Sequence, residues 1–196
     1  MKVLRYLKGT QSLGLKFTDG PGSLNLTAFS DSDWATDQGR STSGVLLKLG
    51  GTAVHWSSNR QDVVAVSSTE AEYIAASEAA KDVHSCRVFL AEIGIAQAES
   101  TPLFIDNETA IRMAFEEGNV HRRRHIEVRH HYIRHQTQEG FIQPMWIPTK
   151  EQEADIFTKA VTPVSQFITL RDQVMGHSTS SYTASSSAAI HFAASS

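Results

Sequence analysis

A chain of 196 residues with 40% hydrophobic content can bury one substantial core, and its length fits a single domain with extensions better than two domains. A formal net charge of −3 excludes attraction of nucleic acid by the overall field, so any phosphate contact has to come from a local basic patch. The single cysteine, Cys86, excludes a disulfide framework, and charges interrupt every apolar stretch near the N-terminus, so the expectation is an intracellular protein, cytoplasmic or nuclear, neither secreted nor membrane-spanning.

Val3, Leu4 and Leu7 have helix-compatible spacing ahead of Gly9 and Gly14, which predicts a short helix leading into a connector, with no evident partner for its apolar side. Gly20-Pro21-Gly22 reads as a turn. Leu24, Leu26, Ala28 and Ser30 then alternate with Asn25, Thr27 and Phe29, predicting a strand that ends at Asp31. A loop from Asp37 to Ser41, a strand from Gly44 to Leu49, a Gly50-Gly51 turn and a strand from Val54 to Ser58 complete an antiparallel meander.

In Ser67-Ser68-Thr69-Glu70-Ala71-Glu72, either Thr69 with Glu72 or Ser67 with Glu70 can form a capping box that starts a helix. Ala71, Ile74, Ala75, Ala79, Val83, Cys86, Leu90 and Ile93 recur at helical steps, predicting a long amphipathic helix stopped by Gly94, with Cys86 as core filler. Leu103-Phe104-Ile105, bounded by Pro102 and Asp106-Asn107, reads as a buried strand packed parallel beside the first, followed by a helix from Thr109 to Phe115.

The segment from His121 to Gln138 reads as a basic helix ended by Gly140, and Phe141 to Ile147 as a fifth strand closed by Pro148. Helices are predicted from Glu151 to Ala160 and from Val164 to Met175. From His177 to Ser196 the chain is mostly Ser, Ala and Thr, too poor in apolar surface to offset its ordering entropy, and is expected to be a disordered tail. The element order β-β-β-α-β-α-α-β-α-α implies an α/β fold, a mixed sheet with helices packed on its faces.

Asp31, Glu72, Asp106 and Asp155 each fall at a strand end or in the first turn of a helix. Acids so placed can converge at one edge of a sheet and hold divalent cations through oxygen ligands, which predicts phosphodiester chemistry. Taken singly, each has a simpler explanation: an Asp at a strand-to-helix junction is commonly an N-cap, and an acid near a helix N-terminus contributes about 0.3–1 kcal/mol. Crowded together they would raise one another's pKa unless cations neutralise them. Spacing alone leaves Asp33 open as a rival to Asp31, and Glu70 as a rival to Glu72.

His121-Arg122-Arg123-Arg124-His125, with Arg129, His130, His131, Arg134 and His135, is a dense basic stretch in an otherwise acidic chain. It reads either as a phosphate-binding face or as a solvated helix face balanced by Glu127 and Glu139. His121 with His125, and His131 with His135, have the helical spacing of zinc ligands, but no cysteine joins them and no Glu follows the first His. Trp34 and Trp56 could pack on sugars, but as strand aromatics they are expected in the core.

Several strings sharpen this reading: Ala28-Phe29-Ser30-Asp31-Ser32-Asp33-Trp34, Ser41-Thr42-Ser43-Gly44, Trp56-Ser57-Ser58, Ser67 to Tyr73, Asp106-Asn107, and Ala154-Asp155-Ile156-Phe157-Thr158-Lys159. In kind and order they resemble the ribonuclease H domain of copia-type (Ty1/copia) LTR retrotransposons, the C-terminal part of a Pol polyprotein. The resemblance runs from Val3 to Met175. Leu4-Arg5-Tyr6-Leu7-Lys8-Gly9-Thr10 is similar to the junction just after the polymerase. The expected organisation is therefore a connector over residues 1–20, a ribonuclease H-like domain over 21–176 and a tail over 177–196, in a fragment or freed domain whose parent polyprotein supplies a reverse transcriptase as partner.

The resemblance implies a ribonuclease H-like fold with a five-stranded mixed sheet. It implies endonucleolytic hydrolysis of the RNA strand of an RNA–DNA hybrid, leaving 5′-phosphate and 3′-hydroxyl ends, with Mg²⁺ or Mn²⁺ as cofactor. In its register Asp31 is preferred to Asp33 and Glu72 to Glu70; Asp31 is shared by two ions, Glu72 and Asp106 join it around one, and Asp155 helps hold the other. Ser32, Asn107 and Glu72 are expected to meet 2′-hydroxyls, and Arg122, Arg123, Arg124, His125 and Arg129 the backbone.

The sequence departs from the cellular enzymes at one place. Their His-bearing loop before the final Asp is replaced by Thr149-Lys150-Glu151-Gln152-Glu153-Ala154, which is short and has no His, so proton transfer or product release would have to be slow or use a nearby side chain such as His125. The rival expectations are an inactive hybrid-binding remnant of the same domain and a DNA-processing nuclease of the same superfamily. Nothing in the sequence fixes the oligomeric state.

Overall fold

A computed structural model describes residues 2–17, 24–37, 39–115 and 132–177. The Gly20-Pro21-Gly22 turn, the basic positions from His121 to His131 and the Ser-rich stretch from residue 178 onward lie outside the described residues.

The chain begins with helix α1 (Lys2–Gly9), followed by strands β1 (Leu26–Asp37), β2 (Arg40–Leu49) and β3 (Thr52–Arg60). Helix α2 (Ser68–Glu92) leads to β4 (Thr101–Ile105), α3 (Glu108–Phe115), helix α4 over residues 132–138, and β5 (Ile142–Trp146). Two 3₁₀ turns, Thr149–Glu151 and Glu153–Phe157, precede α5 (Val164–Val174). The five strands form one sheet in the order β3-β2-β1-β4-β5. β1, β2 and β3 pair antiparallel, while β4 runs parallel to both β1 and β5, the mixed arrangement anticipated from the element order.

Alternation along β1 divides the core into two layers. Leu26 and Ala28 point toward α2, with Val45, Leu47, Leu103 and Ile105 on the same side of the sheet. Phe29 points the other way, into a cluster with Leu46, Phe104, Ile147, Ala154 and Val174. On α2 the buried side is largely alanine, Ala75, Ala76, Ala79 and Ala80, which lets the helix backbone lie close to the sheet. Burying each large apolar side chain in these layers contributes about 1.5–3 kcal/mol.

Helix ends follow local chemistry. The Ser67 side chain caps α2 by accepting the Glu70 N–H, and Glu70 reaches back to the Val66 N–H, so the capping acid is Glu70 and Glu72 is left for another task. At the far end Gly94, at φ 85°, donates to Ala91 O while Ile95 donates to Leu90 O, a Schellman closure. Gly140 and Phe141 close α4 in the same manner on Thr137 and Gln136.

Several expectations are corrected. Asp31 lies in mid-strand rather than at a strand end, because β1 keeps pairing with β2 through Asp33. No α-helix spans Glu151 to Ala160. Gln152 takes an extended backbone there, and its side-chain amide bonds Ser30 O and Phe104 O at 3.0 and 3.4 Å, so anchoring to two strands overrides helical propensity. Trp34, near the end of β1, and Trp56, on the edge strand β3, are 48% and 53% exposed. Ile93 is exposed as well, at the C-cap of α2. Among the described residues no helix is long and apolar enough to cross a membrane.

Candidate active site

The parallel pairing of β1 and β4 places the first two acids. Phe29 and Phe104 are direct register partners, their rings 4.9 Å apart between centroids on the α5 side of the sheet. Two residues further along each chain the same alternation arrives at Asp31 and Asp106, so a well-packed aromatic pair fixes the relative height of the two carboxylates. Asn107, not Asp106, caps α3: its Oδ1 accepts the Ala110 N–H at 3.0 Å.

Glu72 joins them from the first turns of α2. Ser32 holds it through both its backbone N–H and its hydroxyl, at 3.1 and 2.9 Å from Oε1. Oxygens of Asp31, Glu72 and Asp106 all lie within 4.8 Å of one another, close enough to ligate one cation. Asp31 is 1% and Glu72 6% exposed, and Glu72 Oε2 is buried without a hydrogen-bond partner. An orphaned, buried oxygen on a carboxylate grouped with two further acids is costly unless a cation meets it, so this donor set fits a hard divalent ion.

Charge crowding acts on Glu72 and Asp106. Glu72 is pushed up to about 9, by burial first and then by the charges of Asp31 and Asp106. Burial also raises Asp106, against the Thr149 hydroxyl that donates to its Oδ2 at 2.9 Å.

Asp155, the fourth predicted acid, stands in the Glu153–Phe157 turn and is not one of the three grouped oxygens. It is raised to about 7 by burial and then by Asp31. Lys159 links it to the others: its Nζ lies 3.0 Å from Asp155 Oδ1 and 3.6 Å from Asp31 Oδ2. The Thr158 hydroxyl donates to the same Asp31 oxygen. Asp33 and Glu70, the rivals open from spacing, are not in the cluster, and Glu70 is committed to the cap.

Sequence reasoning did not single out Lys159, Thr158, Thr149 or Gln152. The spacing of Lys159 four residues after Asp155 is one signal, since a lysine so placed lies within reach of the acid on a helical turn. Gly44 is another positioning residue. It sits opposite Asp31 in the β1–β2 ladder, and the turn carrying Asp155 packs directly on it. Of the predicted nucleic-acid contacts, Ser32 and Asn107 stand beside the acids, while Arg122, Arg123, Arg124, His125 and Arg129 lie outside the described residues.

No protein-family model matches the chain. It is 36% identical over 178 residues to the retrovirus-related Pol polyprotein from transposon TNT 1-94 of Nicotiana tabacum, a match covering 90% of this chain and 13% of that protein. It is 36% identical over 166 residues to the Pol polyprotein from transposon RE2 of Arabidopsis thaliana, covering 84% of this chain and 11% of the relative. The chain thus spans only a small part of these relatives. Among solved structures it is similar to LC11-RNase H1, isolated from compost, with TM-score 0.53 and 19% identity over 69% of this chain and 93% of that one. The same protein in complex with an RNA/DNA hybrid gives TM-score 0.53 and 18% identity over 68% and 94%. At such identity the likeness establishes the fold, a ribonuclease H fold.

Proposed function

The chain belongs to the copia-type retrotransposon Pol polyproteins, as a segment with the ribonuclease H fold, and on that premise we propose that it is a metal-dependent endonuclease cutting the RNA strand of RNA–DNA hybrids. The observation that carries this reading is the trio Asp31, Glu72 and Asp106 with its unpartnered buried oxygen on Glu72.

Asp31, Glu72 and Asp106 would hold one Mg²⁺ or Mn²⁺, and Asp31 with Asp155 a second. Bound there, such ions supply an activated water and charge compensation at the departing oxygen of a phosphodiester. The protein's own groups prepare the site. Ser32 fixes Glu72 by its Oε1 and leaves Oε2 without a hydrogen-bond partner. Thr149 and Thr158 orient Asp106 and Asp31.

Choice of RNA is assigned to Ser32 and Asn107. The Ser32 hydroxyl proton goes to Glu72, so its lone pairs are what it offers a 2′-hydroxyl. Asn107 uses its carbonyl in the α3 cap and keeps its amide N–H groups for the same purpose. Arg122, Arg123, Arg124, His125 and Arg129 are assigned to backbone phosphates, and a reverse transcriptase segment of the parent polyprotein is the proposed partner.

Purified protein incubated with labelled hybrid, double-stranded RNA or duplex DNA, with Mg²⁺ or with chelator, tests the reading. Metal-dependent cutting of only the RNA strand of the hybrid is expected, and Asp106→Asn should bind the hybrid without cutting it. Binding without cleavage by the wild type would replace the proposal with a hybrid-binding remnant. Cleavage of duplex DNA would replace it with a DNA-processing nuclease.

A further inference from the structure

Three cations or donors already occupy oxygens of the acidic site. Thr149 engages Asp106, Thr158 engages Asp31, and the Lys159 ammonium stands between Asp31 Oδ2 and Asp155 Oδ1 at 3.6 and 3.0 Å. The arrangement is unequal. Asp31, Glu72 and Asp106 converge with an orphaned Glu72 oxygen, and among the described residues Glu72 and Asp106 have no ion-pair partner, whereas the position between Asp31 and Asp155 is filled by a positive charge belonging to the protein itself.

We propose that Lys159 is a built-in counter-ion that holds the Asp31–Asp155 position, so that the two divalent cations load in a fixed order and the second must displace the lysine. The inference rests on the two-cation reading above. An ammonium and a divalent ion cannot share the same pair of carboxylate oxygens, because the like charges repel at contact distance and each needs the same lone pairs. Lys159 can vacate the position at modest cost: it is 36% exposed on a flexible four-carbon stem, at the end of the Glu153–Phe157 turn, and can swing its Nζ into water without moving the backbone. The displaced ammonium then lies next to the site, where a phosphate of a bound strand offers it a new partner. Loading of the second position is thereby tied to substrate arrival, and the unloaded acids are kept from repelling one another.

Mn²⁺ binding by the whole chain without nucleic acid, followed by the loss of the free-ion electron paramagnetic resonance signal, counts bound ions directly. The wild type should bind one ion, and Asp106→Asn should lose it. Lys159→Met should bind a second ion about tenfold or more tighter than the wild type does, as expected when one charge-assisted contact no longer has to be given up, and Lys159→Arg should behave as the wild type. Thermal unfolding supplies a second readout: metal-free Lys159→Met should melt below the wild type and gain more from added Mn²⁺. A first ion that depends on Asp106, together with unchanged second-ion affinity in Lys159→Met, overturns the role of Lys159 alone. Absence of any ion in all four proteins overturns both this inference and the two-cation reading.

Discussion

Gly44 faces Asp31 across the β1–β2 ladder, and the absence of a side chain there is what lets the turn bearing Asp155 lie against the strand that bears Asp31. A Cβ at Gly44 would stand 2.7 Å from Thr158 Cγ2, 2.9 Å from Ala154 O and 3.1 Å from Phe157 Cβ. The backbone carbonyl cannot rotate away, so the whole turn must shift. Gly44→Ala is expected to destabilise the fold by about 1–3 kcal/mol, the usual range for overpacking, and to lower cleavage more than stability because Asp155 and Lys159 move off Asp31. Urea denaturation with a hybrid-cleavage assay on the same samples checks this; unchanged cleavage would show that the turn accommodates the methyl group.

The sheet and the long helix were legible because their signals are local and redundant. Leu26, Ala28 and Phe29 alternate, Gly94 closes α2, and the parallel placement of Leu103-Phe104-Ile105 follows from strand and helix order. Strand ends were less so: Asp31 reads as a terminus because the residues after it are polar, yet they keep pairing with β2 by main-chain bonds that side-chain pattern does not report. The segment after Pro148 misleads for the opposite reason. Its composition suits a helix, but the Gln152 amide finds Ser30 O and Phe104 O, residues more than forty positions away, and long-range bonds of that kind leave no trace in local periodicity. Lys159 is only half legible: its spacing from Asp155 signals reach of that acid, but its second partner, Asp31, comes beside it only through the fold.

Asp31 and Asp33 give a sharp contrast on one strand. Asp31 is buried and belongs to the three-acid cluster, while Asp33 is half-buried and does not. Asp31→Asn should reduce cleavage of the hybrid by about a thousandfold or more, the scale of removing an essential charge-bearing group. Asp33→Asn should stay within about threefold of wild type, a change worth under 1 kcal/mol. Steady-state rates on a labelled hybrid with Mg²⁺ decide between them, and equal losses in both variants would return Asp33 to the site.

The metal-free protein should lose stability as pH rises. Glu72 is raised from 4.5 to about 9, first by burial and then by Asp31 and Asp106, and Asp155 from 3.8 to about 7, first by burial and then by Asp31. Between the ordinary and the raised values the folded state keeps protons that the unfolded chain has released, so increasing pH favours unfolding. These contributions are complete below pH 4 to 4.5 and lost through about 7 for Asp155 and about 9 for Glu72. Urea midpoints measured in chelator from pH 5 to pH 9 should therefore fall, less steeply in Glu72→Gln, and saturating Mg²⁺ should flatten the slope by favouring the ionised acids. A midpoint that rises with pH in chelator would contradict the crowding of these carboxylates.

Lys48 and Glu153 form an ion pair at 2.7 Å with both side chains 1% exposed, joining β2 to the turn that carries Asp155 two residues further on. The Lys48 ammonium also lies 5.7 Å from the centre of the Phe29 ring, two residues before Asp31 on β1. Removing one partner of such a pair strands a charge in the core, at about 3–5 kcal/mol, whereas removing both leaves an apolar or neutral contact that a packed interior tolerates. Lys48→Met alone should lower the urea midpoint sharply, and Lys48→Met with Glu153→Gln should recover much of the loss. Cleavage separates a packing role from a positioning role. If the pair seats the turn, the double variant regains stability but not turnover, with kcat reduced and KM close to wild type, because Asp155 is no longer held at its distance from Asp31. Full recovery of both would make the pair a stabilising contact without influence on the acids.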